Sequence, residues 1–545
     1  MPISPAVRTV IENGNQLFAE KLSLLTHWQD IADHFYYERA DFTASLSIGA
    51  DFASHSMASE GALCRREMGD LYRAMLRPSD FFEVKALDAK LNKDSEARAW
   101  LKYATDLQRA VMYRKEGGFT RATQAGDHDH VAFGQCVLEV APTRDRRSIF
   151  YRNWHLRDCA WSETYGGGVG EVHRNCTTSL RNMMSLFGDK LPQALTKDAE
   201  KTPFKPINAR HVVVPAGSYD LGYSTRPGQN FASLWVLPDH DTVLENIPRA
   251  FRGYVIPRAA TVSGTPYARS PFTSIILPDA RFQQAITRIL LEAGEKAIDP
   301  PMLAQTEVIR GDIGLYAGGI TWVDQQYDEK TGEALRPVSS DYSGLPFGQE
   351  LNDRTASIIR VGFMLDKVRL PEIGDKTAYE VRKIIEQQMR ANIPMFEPVE
   401  VEYNEPLCAE TFAVMRSLGA FPGNEIPEVL QHSEIEYSFR SPLKELEDDG
   451  MRQKMLEGFE VISAAAQLDP GVAKLPNPMA IARDMLRRSG WPEDWINDEK
   501  NVEAAIAQAQ ADAEAQETGA AAFGAAEAAG KAAPMVKALM DRKAA

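Results

Sequence analysis

The run Asp127-His128-Asp129-His130 gathers two residue types that readily ligate a divalent metal or move protons. Its spacing works against a shared ion. Neighbours on a strand point to opposite faces, and neighbours on a helix fan apart by about 100° each. The better reading is a polar loop ahead of a strand at 135–141. Gly166-Gly167-Gly168-Val169-Gly170 could cradle a phosphate. A dinucleotide fingerprint, however, needs a strand before it and a helix opening inside it, and residues 171–174 read as strand. A hairpin turn is expected there. No G-x-x-x-x-G-K-[ST] occurs, which argues against an ATP-driven motor subunit. Ser233, Ser263 and Ser343 lack the G-x-S-x-G context of an activated serine. Cys64, beside Leu63 and near Met68, reads as a buried thiol. His155 and Cys159, four residues apart in a β-like stretch, make no dyad. The acidic run at 445–449 reads as a solvated helix start, because Asp and Glu favour the first turn. The motifs therefore predict no catalytic residue, no metal ligand and no cofactor.

The elements around these motifs change character along the chain. Val10, Leu17, Leu24, Ile31 and Phe35 recur at near-heptad spacing, and Leu63, Met68, Leu71 and Met75 continue the pattern before Pro78. A further helix is expected over 97–112, with Trp100, Leu107 and Val111 on one face. From Gly134 the segments 135–141, 148–154, 211–215 and 233–237 are short and β-rich, divided by Gly, Pro and Asp clusters. Residues 1–275 thus read as α+β, helices first and an antiparallel sheet after. A helical regime follows. Pro278-Asp279 is read as opening a helix that carries Phe282, Ile286, Ile289, Leu290, Ala293 and Ala297, stopped by Asp299-Pro300-Pro301. A mixed insert has strand-like 306–310 and 320–324 and a turn at 328–332. Helix resumes near Gly348, with Leu351, Ile358, Ile359 and Leu365 on one side. After a loop at 367–375, Thr377 and Glu380 form a capping box for a helix through Val381, Ile384 and Met389. Pro394 and Pro398 predict a kink or break. Residues 446–516 read as charged helices, apart from a link at 490–497. From Gln516 the chain is Ala- and Gly-rich and expected to fray.

A chain of 545 residues suggests two to four domains, and 44% apolar with 25% charged residues is ordinary for a globular protein. Five widely spaced cysteines without a C-x-x-C pair predict reduced thiols rather than a disulfide framework or zinc ribbon. Neither a signal peptide nor a membrane span is expected, so assembly in the cytosol is predicted. A net charge of -15 argues against tight, general DNA binding, which draws on basic faces, and leaves passing contact with DNA open.

Four stretches carry a family resemblance: TPYARSPFTSIILPDARFQQAITRILLEAGEKAIDPPM at 265–302, DKTAYEVRKIIEQQM at 375–389, FRSPLKEL at 439–446 and GGGVGEVHR at 166–174. In type and order they resemble the portal, or head-to-tail connector, proteins of short-tailed, podovirus-type bacteriophages, over about residues 1–510. The resemblance implies a portal fold: a wing over 1–275, a first stem helix at 276–298, a clip at 299–345 and a second stem helix at 346–366. A tunnel loop at 367–376, a kinked helix returning to the wing over 377–440, crown helices at 441–515 and a flexible tail at 516–545 complete it. Pro394 and Pro398 depart from the family by coming so soon after the Thr377 helix. The implied stem packing uses Phe282, Ile286, Ile289, Leu290, Leu351, Ile358, Ile359 and Leu365, and the tunnel loop exposes Lys367, Arg369, Leu370, Pro371 and Lys376 to the channel. The resemblance further implies a dodecameric ring of this chain at one capsid vertex, assembled in the host cytoplasm. Its channel passes double-stranded DNA without sequence preference during packaging and ejection. The implied partners are the terminase large subunit, capsid and scaffolding proteins, and later tail adaptor proteins; none is a membrane. Two alternatives stand beside this reading: a metal-dependent phage hydrolase using the four residues from Asp127 to His130, and a tail-tube or adaptor protein. The latter is disfavoured by the order helix, insert, helix, loop, helix.

Overall fold

The structure, a computed structural model, describes residues 3–44, 51–88 except 55, 90–222, 228–304, 335–338, 343–365, 397–422, 426–430, 433–440, 442–466 and 477–488, with short runs elsewhere. The chain forms two compact units, Met1–Asn92 with Glu96–Leu443, and Lys93–Ser95 with Lys444–Ala545.

The larger unit begins with helices. Ser4 caps α1 (Pro5–Glu20): its hydroxyl accepts from the Val7 N–H at 3.3 Å, and Pro5 supplies a preset φ at the first position. The chain turns at Lys21 into α2 (Leu22–Phe35), and α3 follows at Glu60–Leu76. After β1 (Phe82–Ala86) come α4 (Ser95–Met112) and α5 (Phe119–Phe133). Gly134 ends α5 with φ +75°, its N–H returning to the His130 carbonyl at 2.8 Å. A Cβ at this position would lie 2.2 Å from the Arg269 carbonyl carbon, so the crossing there admits only glycine.

The strands come next: β2 (Val137–Pro142), β3 (Ile149–Trp154), β4 (Cys159–Glu163) and β5 (Val169–Ser179). Two short helices, α6 (Leu180–Phe187) and α7 (Gln193–Lys201), precede β6 (Pro206–Pro215), β7 (Phe231–Leu237) and β8 (Thr242–Arg249). The antiparallel order β4-β5-β6-β7-β8 makes a five-stranded sheet, and β9 (Tyr254–Val255) joins β2 and β3 in the order β3-β2-β9. The predicted Gly-rich hairpin is the β4–β5 connection, with Gly167 at φ +81°. Side chains of the large sheet alternate as period two requires. Val212, Val214, Ala232, Leu234 and Val236 pack with Val7 and Val10 of α1, while Ile207, Ala209 and Leu237 pack with Leu180, Met183 and Leu195 of α6 and α7. The main core lies among the first helices and the smaller sheet, where Trp28 contacts Phe42, Phe133 and Tyr267 at ring separations of 5.6, 6.5 and 5.9 Å.

A short pair, β10 (Ala260–Thr261) with β11 (Ala268–Arg269), leads into α8 (Thr273–Ile298). This helix opens before the predicted start at Pro278-Asp279. The Ser270 hydroxyl accepts from the N–H groups of Phe272 and Thr273, both at 3.2 Å, and donates to the Val131 carbonyl at 2.6 Å. Ile276, Leu277 and Ala280 are buried across the proline, so burial offsets the roughly 3 kcal/mol of an interior proline. The insert is a hairpin base, β12 (Met302–Ala304) with β13 (Leu335–Pro337); most of the strand-like 306–310 and 320–324 lies outside the described residues. Helix α9 covers Leu345–Gly362, and the 367–376 loop and the Thr377 helix lie outside the described residues. A π-turn at Glu400–Asn404 enters α10 (Glu405–Ser417), and β14 (Ile435–Phe439) pairs back onto β1. In the second unit, α11 (Pro442–Ala466), which begins just inside the larger unit, carries the acidic run near its start, and α12 spans Pro478–Arg488.

Candidate functional site

The Asp-His run is not a loop. It forms the last turns of α5, with Asp127, Asp129 and His130 buried. The helix sends the four side chains to separate partners. Asp127 pairs with Arg77, which also donates to Asn404 at 3.1 Å and lies over the Tyr403 ring at 4.5 Å. Asp129 takes a two-pronged contact from Arg39, at 3.1 and 2.9 Å, and a bond from Asn153 at 2.6 Å. His128 faces Asp70 at 3.5 Å, and His130 sits between the rings of Tyr72 and Tyr403, each 5.8 Å away. Burial pushes the Asp127 carboxyl up to about 6 against the pull of Arg77, and pushes the His130 imidazole down to about 3. Among the described residues no group of three or more His, Cys, Asp or Glu could hold a metal. The run serves the core.

One arrangement resembles a nucleophile with its base, and the sequence did not reveal it. Ser233 Oγ lies 3.0 Å from His211 Nε2. His211 Nδ1 meets the Tyr254 hydroxyl at 2.5 Å, where a triad would place a carboxylate, and His211 stacks on Trp235. Ser233 is fully buried, so no substrate can reach it. Arg174 donates to the same Tyr254 hydroxyl at 2.8 Å, which ties the two sheets together. Cys64 is buried as expected, its thiol pushed up to about 12 chiefly by desolvation. His155 bonds Asp41 at 2.6 Å rather than Cys159.

The α8–α9 hairpin turns one side outward. Ile276 meets Gly362 and Leu290 meets Gly348, so close that added Cβ atoms would sit 2.2 and 2.7 Å from those side chains. Ile276 and Leu290 are fourteen residues apart, as are Gly348 and Gly362, so the helices run antiparallel and in register for about four turns. Thr287 and Asn352 bridge the seam at 3.4 Å. One residue onward from the seam, both helices meet the first helices of the chain. Arg281 pairs with Asp30, Gln284 bonds the backbone of Met57 and Ala58 and the Ser56 hydroxyl in the loop before α3, and Arg360 pairs with Glu60.

One residue back from the seam, the side chains are apolar and exposed. Ile275, Phe282 and Ile289 of α8, and Phe347, Ile358 and Val361 of α9, are between 42% and 72% exposed. In an antiparallel pair the same one-residue step turns both helices toward the same side, so these six form a single face opposite the packed one. Among the residues named from sequence, Ile286, Ile359 and Leu365 are buried, Leu290 and Leu351 are half-buried, and Phe282, Ile289 and Ile358 are exposed. Ile358 and Ile359 therefore lie on different sides of α9, contrary to the single side expected, because adjacent helical residues diverge. Ile275, Phe347 and Val361 are not among the expected stem residues, although the seven-residue spacing of Ile275, Phe282 and Ile289 signals a stripe. Lys367, Arg369, Leu370, Pro371 and Lys376 lie outside the described residues. No helix among the described residues is long and apolar enough to cross a membrane.

Comparison with known proteins gives this geometry a context. The probable portal protein of Bordetella phage BPP-1 is 23% identical over 455 residues, covering 80% of this chain and 79% of that protein. The portal protein of Salmonella phage epsilon15 is 21% identical over 478 residues, covering 84% and 82%. A chain in the virion of a native gene transfer agent particle aligns over 78% of this chain and 94% of its own at 9% identity, with a TM-score of 0.35, too low to carry an argument. A family model described as bacteriophage head to tail connecting protein matches residues 8–496, from α1 through α12. The chain belongs to the head-to-tail connector, or portal, family of tailed bacteriophages.

Proposed function

We propose that this chain is the portal subunit of a phage of the short-tailed type, closing into a ring of twelve at one capsid vertex. Double-stranded DNA passes through its channel during packaging and ejection. The observation that carries this reading is the apolar face of α8 and α9, set against a seam held by glycines. A ring closes through heterologous contacts, in which one surface of each subunit meets a different surface of the next. An exposed stripe of Ile275, Phe282, Ile289, Phe347, Ile358 and Val361 gives such a contact its driving force, about 1.5–3 kcal/mol for each large side chain fully buried. In this reading α8 and α9 are the stem, residues 1 to about 275 the wing, and the β12–β13 insert the clip that meets the terminase large subunit and then tail adaptors. The wing meets capsid and scaffolding proteins, the 367–376 loop lines the channel, and α11 and α12 belong to the crown. The protein is assembled in the host cytoplasm and ends in the virion.

The hydrolase alternative loses its site, because Asp127 and Asp129 are each held by an arginine and the four side chains diverge. Negative-stain electron microscopy of the purified full-length chain tests the proposal. Closed rings with a central channel are expected; a population of single subunits at micrographic concentration contradicts it.

A further inference from the structure

The chain carries more acids than bases, yet one part of the larger unit collects exposed arginines that form no ion pair among the described residues, Arg144, Arg146, Arg147 and Arg181, with the half-buried Arg249 and Arg252 beside them. Backbone and side-chain contacts bring them together. Arg144, in the turn between β2 and β3, donates to Ser185 of α6 at 2.9 Å, one helical turn from Arg181. Arg249 at the end of β8 is desolvated by burial and feels Glu245 and Glu139 before Arg146. Val140 of β2 bonds the Gly253 carbonyl at 2.9 Å, which sets Arg252 beside the start of the same turn. Arg252 lies over the Phe231 ring at 5.1 Å, and Phe231 pairs with Arg249 across β7 and β8.

The turn is built to present charge. Thr143 N–H bonds the Ser148 carbonyl at 2.8 Å, and the Thr143 hydroxyl donates to Asp145 at 2.6 Å. Asp145 also accepts from the Arg147 N–H at 3.3 Å, and these bonds keep it ionised, so the turn carries three arginines against one carboxylate. Arg146 stands at φ +55°, a left-handed conformation rare for arginine, and the four residues 144–147 are all exposed and polar. Of the nearby acids, Glu245 is shared between Lys190, at 3.9 Å, and Arg249, Glu139 is buried against Trp154 and Arg174, and Glu410, which accepts from the Gly253 N–H at 3.0 Å, also offsets Arg252, so the exposed charge of the face lies on Arg144, Arg146, Arg147 and Arg181.

We infer that this arginine face binds the phosphodiester backbone of duplex DNA without sequence preference. Guanidinium groups match phosphate in a two-pronged fork, and every member of the cluster is arginine rather than lysine. Backbone contacts need donors alone, whereas a stable protein interface needs apolar anchors at its centre, and the turn's exposed side chains offer none. The inference takes from the proposed function only that duplex DNA reaches this protein.

The test measures binding of a labelled duplex to full-length protein across about 50–200 mM salt. The variant is Arg144→Gln with Arg146→Asn and Arg147→Gln, Asn being suited to the left-handed position. Lys85→Gln with Lys90→Gln and Lys115→Gln changes the net charge equally elsewhere. The arginine variant should bind at least about tenfold more weakly at low salt, and the slope of log affinity against log salt should shrink by about 0.9 for each phosphate that is no longer neutralised. The lysine variant should keep the wild-type slope. Equal slopes in wild type and arginine variant, equal weakening in both variants, or no binding by wild type at the lowest salt would each overturn the inference. Competition by polyglutamate as effective as DNA at equal charge would also overturn it, in favour of an acidic protein partner. Electron micrographs of the same samples keep the outcomes separate, since rings without DNA binding sink this inference alone.

Discussion

Arg77 and Asp127 show how far a motif's chemistry depends on residues it cannot name. The pair is fully enclosed, and Asn404 of the π-turn completes it by bridging Arg77 and the Leu76 carbonyl. Removing one charge strands the other, so Asp127→Ala should cost about 3–5 kcal/mol in denaturant unfolding. Replacing both by apolar residues, Arg77→Met with Asp127→Leu, should recover most of that loss, because the desolvation of both ions is avoided. A double variant no more stable than Asp127→Ala would show that the pair contributes more than its own neutralisation. His130 gives a pH dependence with a definite sign. Its imidazole is held down to about 3, so between its ordinary value of 6.5 and about 3 the unfolded chain binds a proton that the folded chain refuses. Stability from this group is therefore complete above pH 6.5 and lost as pH falls, by up to about 1.4 kcal/mol per pH unit. Asp127, raised to about 6, acts oppositely and favours the fold as pH drops from about 6 to 3.8. In His130→Phe the acid branch of the urea midpoint against pH should flatten or reverse between pH 6 and 4; an unchanged branch would remove His130 from the account.

At the scale of elements, glycines set how closely the hairpin packs. Gly362→Ala places a Cβ against Ile276 and should destabilise by about 1–3 kcal/mol, as overpacking does. Gly294 has open space at its Cβ position within α8, so Gly294→Ala should instead stabilise by about 0.5–1 kcal/mol. Thermal unfolding of the two variants checks the contrast, and shifts of the same sign would contradict the packing described. The apolar periodicity of α2, α8 and α9 is legible in the sequence because burial on one face leaves a 3.6-residue trace. Helix α5 is not. Its Gly, Asp, His and Thr residues have weak helix propensity, and burial against α3 and β3 overrides it. The start of α8 departs from expectation for a similar reason: Pro278 is a local stop signal, while the Ser270 cap and the buried Ile276 and Leu277 lie just upstream. The hairpin partners β2–β3 and β4–β5 are recoverable from their turns. The pairing of β1 with β14, whose partners Phe82 and Phe439 are far apart in the chain, leaves no local trace.

At the scale of the whole molecule, the charge of -15 sets the terms on which DNA can be handled. In the proposed ring of twelve the mean field would repel a polyanion, so DNA in the channel would keep most of its counterions and slide, which leaves adhesion to local basic patches such as the 144–147 turn. If the 367–376 loop lines the channel as proposed, its nearly balanced charges, Lys367, Arg369 and Lys376 against Glu372 and Asp375, would lower the barrier to DNA entry. Lys367→Glu with Arg369→Glu should leave rings intact yet impair packaging or retention of the last DNA packaged, more severely at low salt. Normal packaging across ionic strengths would remove the electrostatic role from this loop. In the proposed ring the apolar face of α8 and α9 makes the closing contact. Sedimentation of the full-length chain beside Phe282→Asp with Ile358→Asp tests it most directly, with far-ultraviolet circular dichroism on both. A closed assembly of 60.6 kDa subunits is expected for the wild type and single subunits of unchanged helical content for the variant. Rings that survive both substitutions with their mass unaltered would contradict it.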